Sequence, residues 1–185
     1  YNDAINLKDV VQTELNIEGN PIPKFMDLVL EIKPDQVTLV PDKIDSLTSN
    51  QGWDTIKNHE FLKSIIKKLN NQGIRTSVFI NPEINMVKGA HSVGADRIEL
   101  YTEPYALKYG IDKNLAIKPY VEASRKAKDL GLGVNAGHDL NLDNIEFFSK
   151  EITNLLEVSI GHALICESLY LGLENVIPMY IGKIK

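Results

Sequence analysis

Apolar positions along the chain follow two alternating rhythms. Short runs such as Gln36-Val-Thr-Leu-Val40, Arg75-Thr-Ser-Val-Phe-Ile80 and Arg97-Ile-Glu-Leu-Tyr101 have the length and β-branched content of strands. Between them, Phe25, Leu28, Val29 and Ile32, and later Phe61, Leu62, Ile65, Ile66 and Leu69, recur at three- and four-residue intervals and line one helix face. In order, the pattern predicts the end of a helix over 4–13, a strand over 14–18, a helix over 22–32 stopped by Pro34, and a strand over 36–40 ended by Pro41. A polar loop over 42–54 is long enough to be a working loop. Then come a helix over 61–69 closed by Gly73, a strand over 75–80, a helix over 84–93, a strand over 97–101 and a second long loop over 102–114, a candidate lid. Tyr120, Ala123, Ala127 and Leu130 face one side of the next helix. A strand over 132–135, a helix over 142–150, a strand over 157–160, a helix from 163 and a last helix over 176–184, kinked or entered at Pro178, complete the chain.

Strands that alternate with helices are parallel strands covered by helices. Two architectures compete: an open doubly wound sheet and a (β/α)₈ TIM barrel of which six βα units are present. No Gly-x-Gly-x-x-Gly follows any strand; Gly131-Leu-Gly133 precedes its strand and reads as a helix stop. The 185 residues suffice for a single domain over 1–185, and Tyr1 opens straight into a helical pattern without an initiator Met, which leaves room upstream for the further strands of a barrel.

Charge and cysteine content narrow the class. A net charge of −5 with no basic stripe argues against a nucleic-acid partner but leaves room for a small anionic substrate. Cys166, the one cysteine, lies in an apolar run and is expected to be a buried structural thiol. No apolar run reaches membrane-span length and no signal peptide opens the chain, so the expected compartment is the cytoplasm, with no membrane partner. Asp42, Asp45 and Asp54 fit no compact calcium loop and no zinc pattern is present, so no metal is expected.

Candidate chemistry gathers at the strand ends. Glu18, Thr48, Glu99, Thr102, Glu103, His138, Asp139 and His162 all fall at or beyond the C-terminal ends of predicted strands, which lie on one side of a parallel sheet. From position alone, His138 reads equally as a general acid or base and as a histidine bonded to a neighbouring loop. Gly161-His162 could offer backbone N–H groups to a phosphate at a helix N-terminus, or be a plain turn. Glu18 and Glu99 are costly inside strands unless used or paired, for which Arg75 and Arg97 are the available cations.

Asn16-Ile-Glu-Gly, Val37-Thr-Leu-Val-Pro-Asp42, Arg97-Ile-Glu-Leu-Tyr-Thr, Gly133-Val-Asn-Ala-Gly-His138 and Val158-Ser-Ile-Gly-His-Ala163 together resemble the pyridoxine 5′-phosphate synthase family, over essentially the whole chain. The resemblance implies a TIM barrel that assembles as a homo-octamer and uses no cofactor. It implies condensation of 1-deoxy-D-xylulose 5-phosphate with 3-amino-2-oxopropyl phosphate to pyridoxine 5′-phosphate, phosphate and water. Carried over by motif, Glu18 is similar to the family's general base, His138 to its proton donor and Glu99 to the glutamate that stabilises the transition state. Thr48 is similar to the threonine that meets the deoxyxylulose phosphate, and Gly161 and His162 to the pair that holds the second phosphate. Asp139 stands where the family often has Gly, at a further substrate contact. The family's motifs from its first two strands, with a catalytic histidine and several arginines, have no counterpart here, so the 185 residues alone are expected to be inactive and poorly stable. The rival readings are another sugar-phosphate barrel enzyme, for which a Schiff-base lysine at a strand end is wanted and not found, and an inactive fragment that only binds a phosphorylated metabolite.

Overall fold

The computed structural model describes residues 1–42 and 50–184. Its elements are α1 (Asn2–Val10), β1 (Asn16–Gly19), α2 (Pro23–Ile32), β2 (Gln36–Leu39), α3 (His59–Asn70), β3 (Arg75–Ile80) and α4 (Ile84–Ser92). They continue with β4 (Arg97–Tyr101), α5 (Glu103–Asp129), β5 (Gly133–Gly137), α6 (Ile145–Glu151), β6 (Leu155–Ser159), α7 (His162–Leu171) and α8 (Leu173–Lys183). All five strand pairings are parallel and the sheet order is β1-β2-β3-β4-β5-β6. A doubly wound sheet reverses its strand order at a switch point; this one never does.

The sheet is also curled. β1 and β5 are four strand spacings apart, about 19 Å across a flat sheet at about 4.8 Å per spacing. Yet the Glu18 carboxylate on β1 lies 3.2 Å from the His138 ring just beyond β5, and Gln36 of β2 donates to Glu157 of β6 at 3.2 Å. Only a sheet wound toward a barrel brings these side chains together, so the architecture is the TIM type with six βα units.

The two sides of the wound sheet differ in chemistry. Val37, Leu39, Val78, Ile80, Ile98, Leu100, Val134 and Ala136 point outward and are fully buried beneath Val29, Leu62, Ile66, Val87, Ala90 and Ala123 of the covering helices. The alternate positions, Gln36, Thr38, Ser77, Glu99 and Asn135, are equally buried but polar, and they face the inside of the curl. Near the N-terminal ends of the strands this polar layer closes on itself. Glu157 Oε2 accepts from Arg97 at 2.9 Å and Asn135 at 3.0 Å, and Gln36 Oε1 accepts from Arg75 Nε at 2.8 Å.

Three expectations need correction. Residues 103–114 are helical rather than a loop, the first part of α5. Tyr105 is fully buried against Tyr120 and Phe148 and donates to the Asn144 carbonyl at 2.7 Å, which pins this segment to the body. The backbone breaks only at Asp112 (φ −153°, ψ 95°), whose Oδ1 then caps the N–H groups of Asn114 and Leu115 at 3.0 Å each. Cys166 is exposed, not buried. Its apolar helix α7 packs chiefly on α8 and leaves Ile165, Leu169 and Tyr170 57%, 80% and 89% exposed, so the hydrophobicity of the run did not report a cover. The helix expected from 142 begins at Ile145, because Asn141 and Asn144 first cross-cap each other's backbone N–H groups. No helix among the described residues is long and apolar enough to cross a membrane.

Candidate active site

The C-terminal ends of β1, β4 and β5 bring Glu18, Glu99 and His138 together. Each offers one donor atom, and the three atoms lie within 4.8 Å of one another. His138 is the most constrained. It follows β5 with φ +81°, a left-handed conformation that a side chain adopts at a cost on the order of 1 kcal/mol. Its peptide N–H donates to the Ser159 carbonyl at 2.8 Å, which ties it to the end of β6. Its ring stacks on Phe79 of β3 at 5.2 Å between centroids, 24° from parallel, and its Nε2 meets Glu18 Oε1 at 3.2 Å. The hydrogen bond to Glu18 raises the imidazole pKa, against the opposing effect of burial.

Glu99 is held differently. It is wholly buried, and burial first, then the charge of Glu18, push its pKa up to about 8, with His138 and the Thr38 hydroxyl pulling the other way. At neutral pH it is therefore a proton-bearing acid beside a carboxylate–imidazole pair. The alternative pairings with arginine do not occur: Arg97 engages Glu157 and Arg75 engages Glu14. The spacing of the trio would also admit a metal ion.

The loops around the trio carry the other candidates. Asp139 follows His138 directly. Its peptide N–H donates to Thr102 Oγ1 at 3.2 Å, and burial and the neighbouring Glu103 raise its carboxyl pKa, while His138 and His162 lower it. Thr102, fully buried, also donates to the Gly137 carbonyl and so joins the ends of β4 and β5. Gly161 is the N-cap of α7 and His162 its first residue, both exposed, with the orphan N–H groups of a helix start. Thr48 lies outside the described residues.

Residues not singled out from sequence complete the site. Thr38 donates toward Glu99, Phe79 supports the His138 ring and stands edge-on to Tyr101, and Tyr101 donates its hydroxyl to Glu103. Gly137 is required by contact: a Cβ there would sit 2.5 Å from Glu99 Oε1 and 3.0 Å from the Ser159 carbonyl. The period-two polar face of the strands, in which Thr38, Ser77, Glu99 and Asn135 alternate with aliphatic residues, marks Thr38 as facing inward but not what it meets there.

Comparison with known proteins shows the family of the chain. The family model described as pyridoxal phosphate biosynthesis protein PdxJ matches residues 1–185. A pyridoxine 5′-phosphate synthase of Flavobacterium johnsoniae is 60% identical over 185 residues, all of this chain and 78% of that protein. One of Cytophaga hutchinsonii is 57% identical over the same 185 residues, again 78% of the relative. Among solved structures, the phosphoribosylanthranilate isomerase of Thermotoga maritima in its monomer form superposes with TM-score 0.61 at 12% identity, covering 99% of this chain and 78% of that one. A mandelate oxidase variant gives 0.65 at 9% identity over 98% of this chain and 59% of its own. These distant likenesses concern the fold alone; the family follows from the sequence matches, and the chain belongs to the pyridoxal phosphate biosynthesis protein PdxJ family.

Proposed function

We propose that this chain catalyses closure of the pyridoxine ring, condensing 1-deoxy-D-xylulose 5-phosphate with 3-amino-2-oxopropyl phosphate to pyridoxine 5′-phosphate, phosphate and water. The observation that carries the reading is the convergence of Glu18, Glu99 and His138 from three strands at one mouth. Joining an amine to a ketone and expelling water requires a proton given to a departing hydroxyl and others taken from nitrogen and carbon. His138, its pKa raised by Glu18, is suited to give the first; Glu18 is suited to take the others. Glu99, neutral and desolvated, can donate a hydrogen bond to the oxygen on which negative charge develops, without adding a charge of its own.

Both substrates are phosphates. The start of α7 at Gly161 and His162 suits one of them, since its N–H groups and helix dipole favour an anion. Thr48 is assigned to the deoxyxylulose phosphate by motif. We assign the protein to the cytoplasm as a homo-octamer; family membership supports this, and the exposed Ile165, Leu169 and Tyr170 of α7 offer apolar surface for assembly.

The test is to supply both substrates to the full-length protein and follow pyridoxine 5′-phosphate by mass and inorganic phosphate by colorimetry. One phosphate released per pyridoxine 5′-phosphate formed is expected. Phosphate release without the pyridine product, or no reaction, would refute the reading.

A further inference from the structure

Glu99 is wholly buried, yet among the described residues only one of its carboxyl oxygens has a partner. Oε2 lies 3.4 Å from Thr38 Oγ1, while Oε1 has no hydrogen bond to a described residue and rests against Gly137. Thr38 is itself held. Its Oγ1 lies 3.1 Å from Nδ2 and 3.2 Å from Oδ1 of Asn16, on the neighbouring strand. A hydroxyl has one hydrogen, so Thr38 serves either Asn16 Oδ1 or Glu99 Oε2. If it served Asn16, Glu99 would donate its own proton to Thr38 Oγ1. The opposite direction runs from Asn16 Nδ2–H to Thr38 Oγ1 and from Thr38 Oγ1–H to Glu99 Oε2, and it leaves the Glu99 proton free for substrate.

This directed chain has a chemical consequence. In a carboxylic acid the carbonyl oxygen is the better acceptor, so a donor fixed on Oε2 leaves the acid's proton on Oε1. We propose, resting on the ring-closing reading above, that Thr38 is a positioning residue for Glu99: oriented by Asn16, it keeps the acid's proton on the oxygen beside Gly137, next to His138, ready for the reacting atoms. Among the described residues, Thr38 is the one side chain within hydrogen-bond distance of the Glu99 carboxyl. β1 presents Glu18, β6 presents Glu157 and the end of β5 presents His138, whereas β3 contributes Ser77 and Arg97 of β4 itself is engaged by Glu157. Thr38 is the group that moves the Glu99 titration down by hydrogen bonding, where burial, Glu18 and Glu157 move it up.

The experiment labels the Glu side-chain carboxyls with ¹³C and titrates Glu99 by NMR in the wild type, Thr38→Val and Thr38→Ser, alongside the pH profile of kcat and KM. Valine keeps the β-branched shape without the donor. Its expected effect is an upward move of the Glu99 midpoint by about half to one pH unit, matching a typical hydrogen bond. The same limb of kcat should move with it, with KM unchanged, and serine should restore both. A valine variant that titrates like the wild type, or a serine variant displaced as far as valine, would overturn the assignment. Should Thr38→Val not fold, Asn16→Ala serves in its place: an upward move supports the directed chain and an unmoved midpoint overturns it. Wild-type protein that forms no product would sink the ring-closing reading instead, and the carboxyl titration decides the role of Thr38 in either case.

Discussion

Replacing Glu99 with glutamine should change how folding stability depends on pH. The wild-type acid has an ordinary pKa of 4.5 and a folded-state value of about 8, raised chiefly by burial. The folded state therefore holds a proton that the unfolded chain releases, and each pH step between those values favours unfolding. Integrating from pH 5 to 7.5 with 1.36 kcal/mol per pH unit gives a wild-type loss of about 3 kcal/mol from this one group. Glutamine has a similar shape, can still accept from Thr38 and cannot ionise, so it should escape that loss. His138, whose raised pKa also favours the folded state at low pH, titrates in both proteins and largely cancels in the difference. The assay is urea unfolding of both proteins at pH 5 and pH 7.5, at matched m-value. The stability difference between them should shift by about 3 kcal/mol in favour of glutamine as pH rises, a change of about 6–12 °C in midpoint temperature for a domain of this size. A difference that stays constant within about 0.5 kcal/mol would refute the claim that Glu99 is a buried, protonated acid.

Other substitutions probe the rest of the site. Glu18→Gln removes the partner that raises the His138 pKa, so the NMR titration midpoint of His138 should fall and kcat should drop by roughly 10²–10⁴. Gly137→Ala places a methyl group 2.5 Å from Glu99 Oε1, and a stability loss of about 1–3 kcal/mol in urea together with loss of turnover is expected. Asp112→Ala removes the cap on Asn114 and Leu115; thermal unfolding should report a loss of about 1 kcal/mol with turnover retained.

Much of this organisation was legible along the chain, for identifiable reasons. β3 and β4 occupy the predicted 75–80 and 97–101, because each run is bounded by turn residues and keeps its aliphatic side chains on one face. Glu18, Glu99 and His138 were visible as polar groups at strand ends, which parallel strands collect on one side. Segment 102–114 misled because Pro104, Gly110 and Asp112 look like loop residues. Proline is harmless in the first turn of a helix, where its missing N–H has no partner to lose, and Asp112 restarts the helix rather than ending it. The arginines misled too. Arg97 shares a face with Glu99, but two residues along a strand is about 6.8 Å, which puts it in the layer of Glu157. Thr38 and Phe79 acquire their roles only when the sheet curls and brings β1 to β5, a long-range event that no local pattern encodes.

The central claim is that the Glu18–Glu99–His138 cluster performs the proton transfers of pyridoxine ring closure. The direct measurement is the rate of pyridoxine 5′-phosphate formation from the two phosphorylated substrates by the wild type and by His138→Asn, which keeps a polar side chain and tolerates the left-handed backbone. The expected result is product from the full-length wild type and a rate lower by roughly 10²–10⁴ in the full-length variant. Equal rates in the two proteins would contradict it.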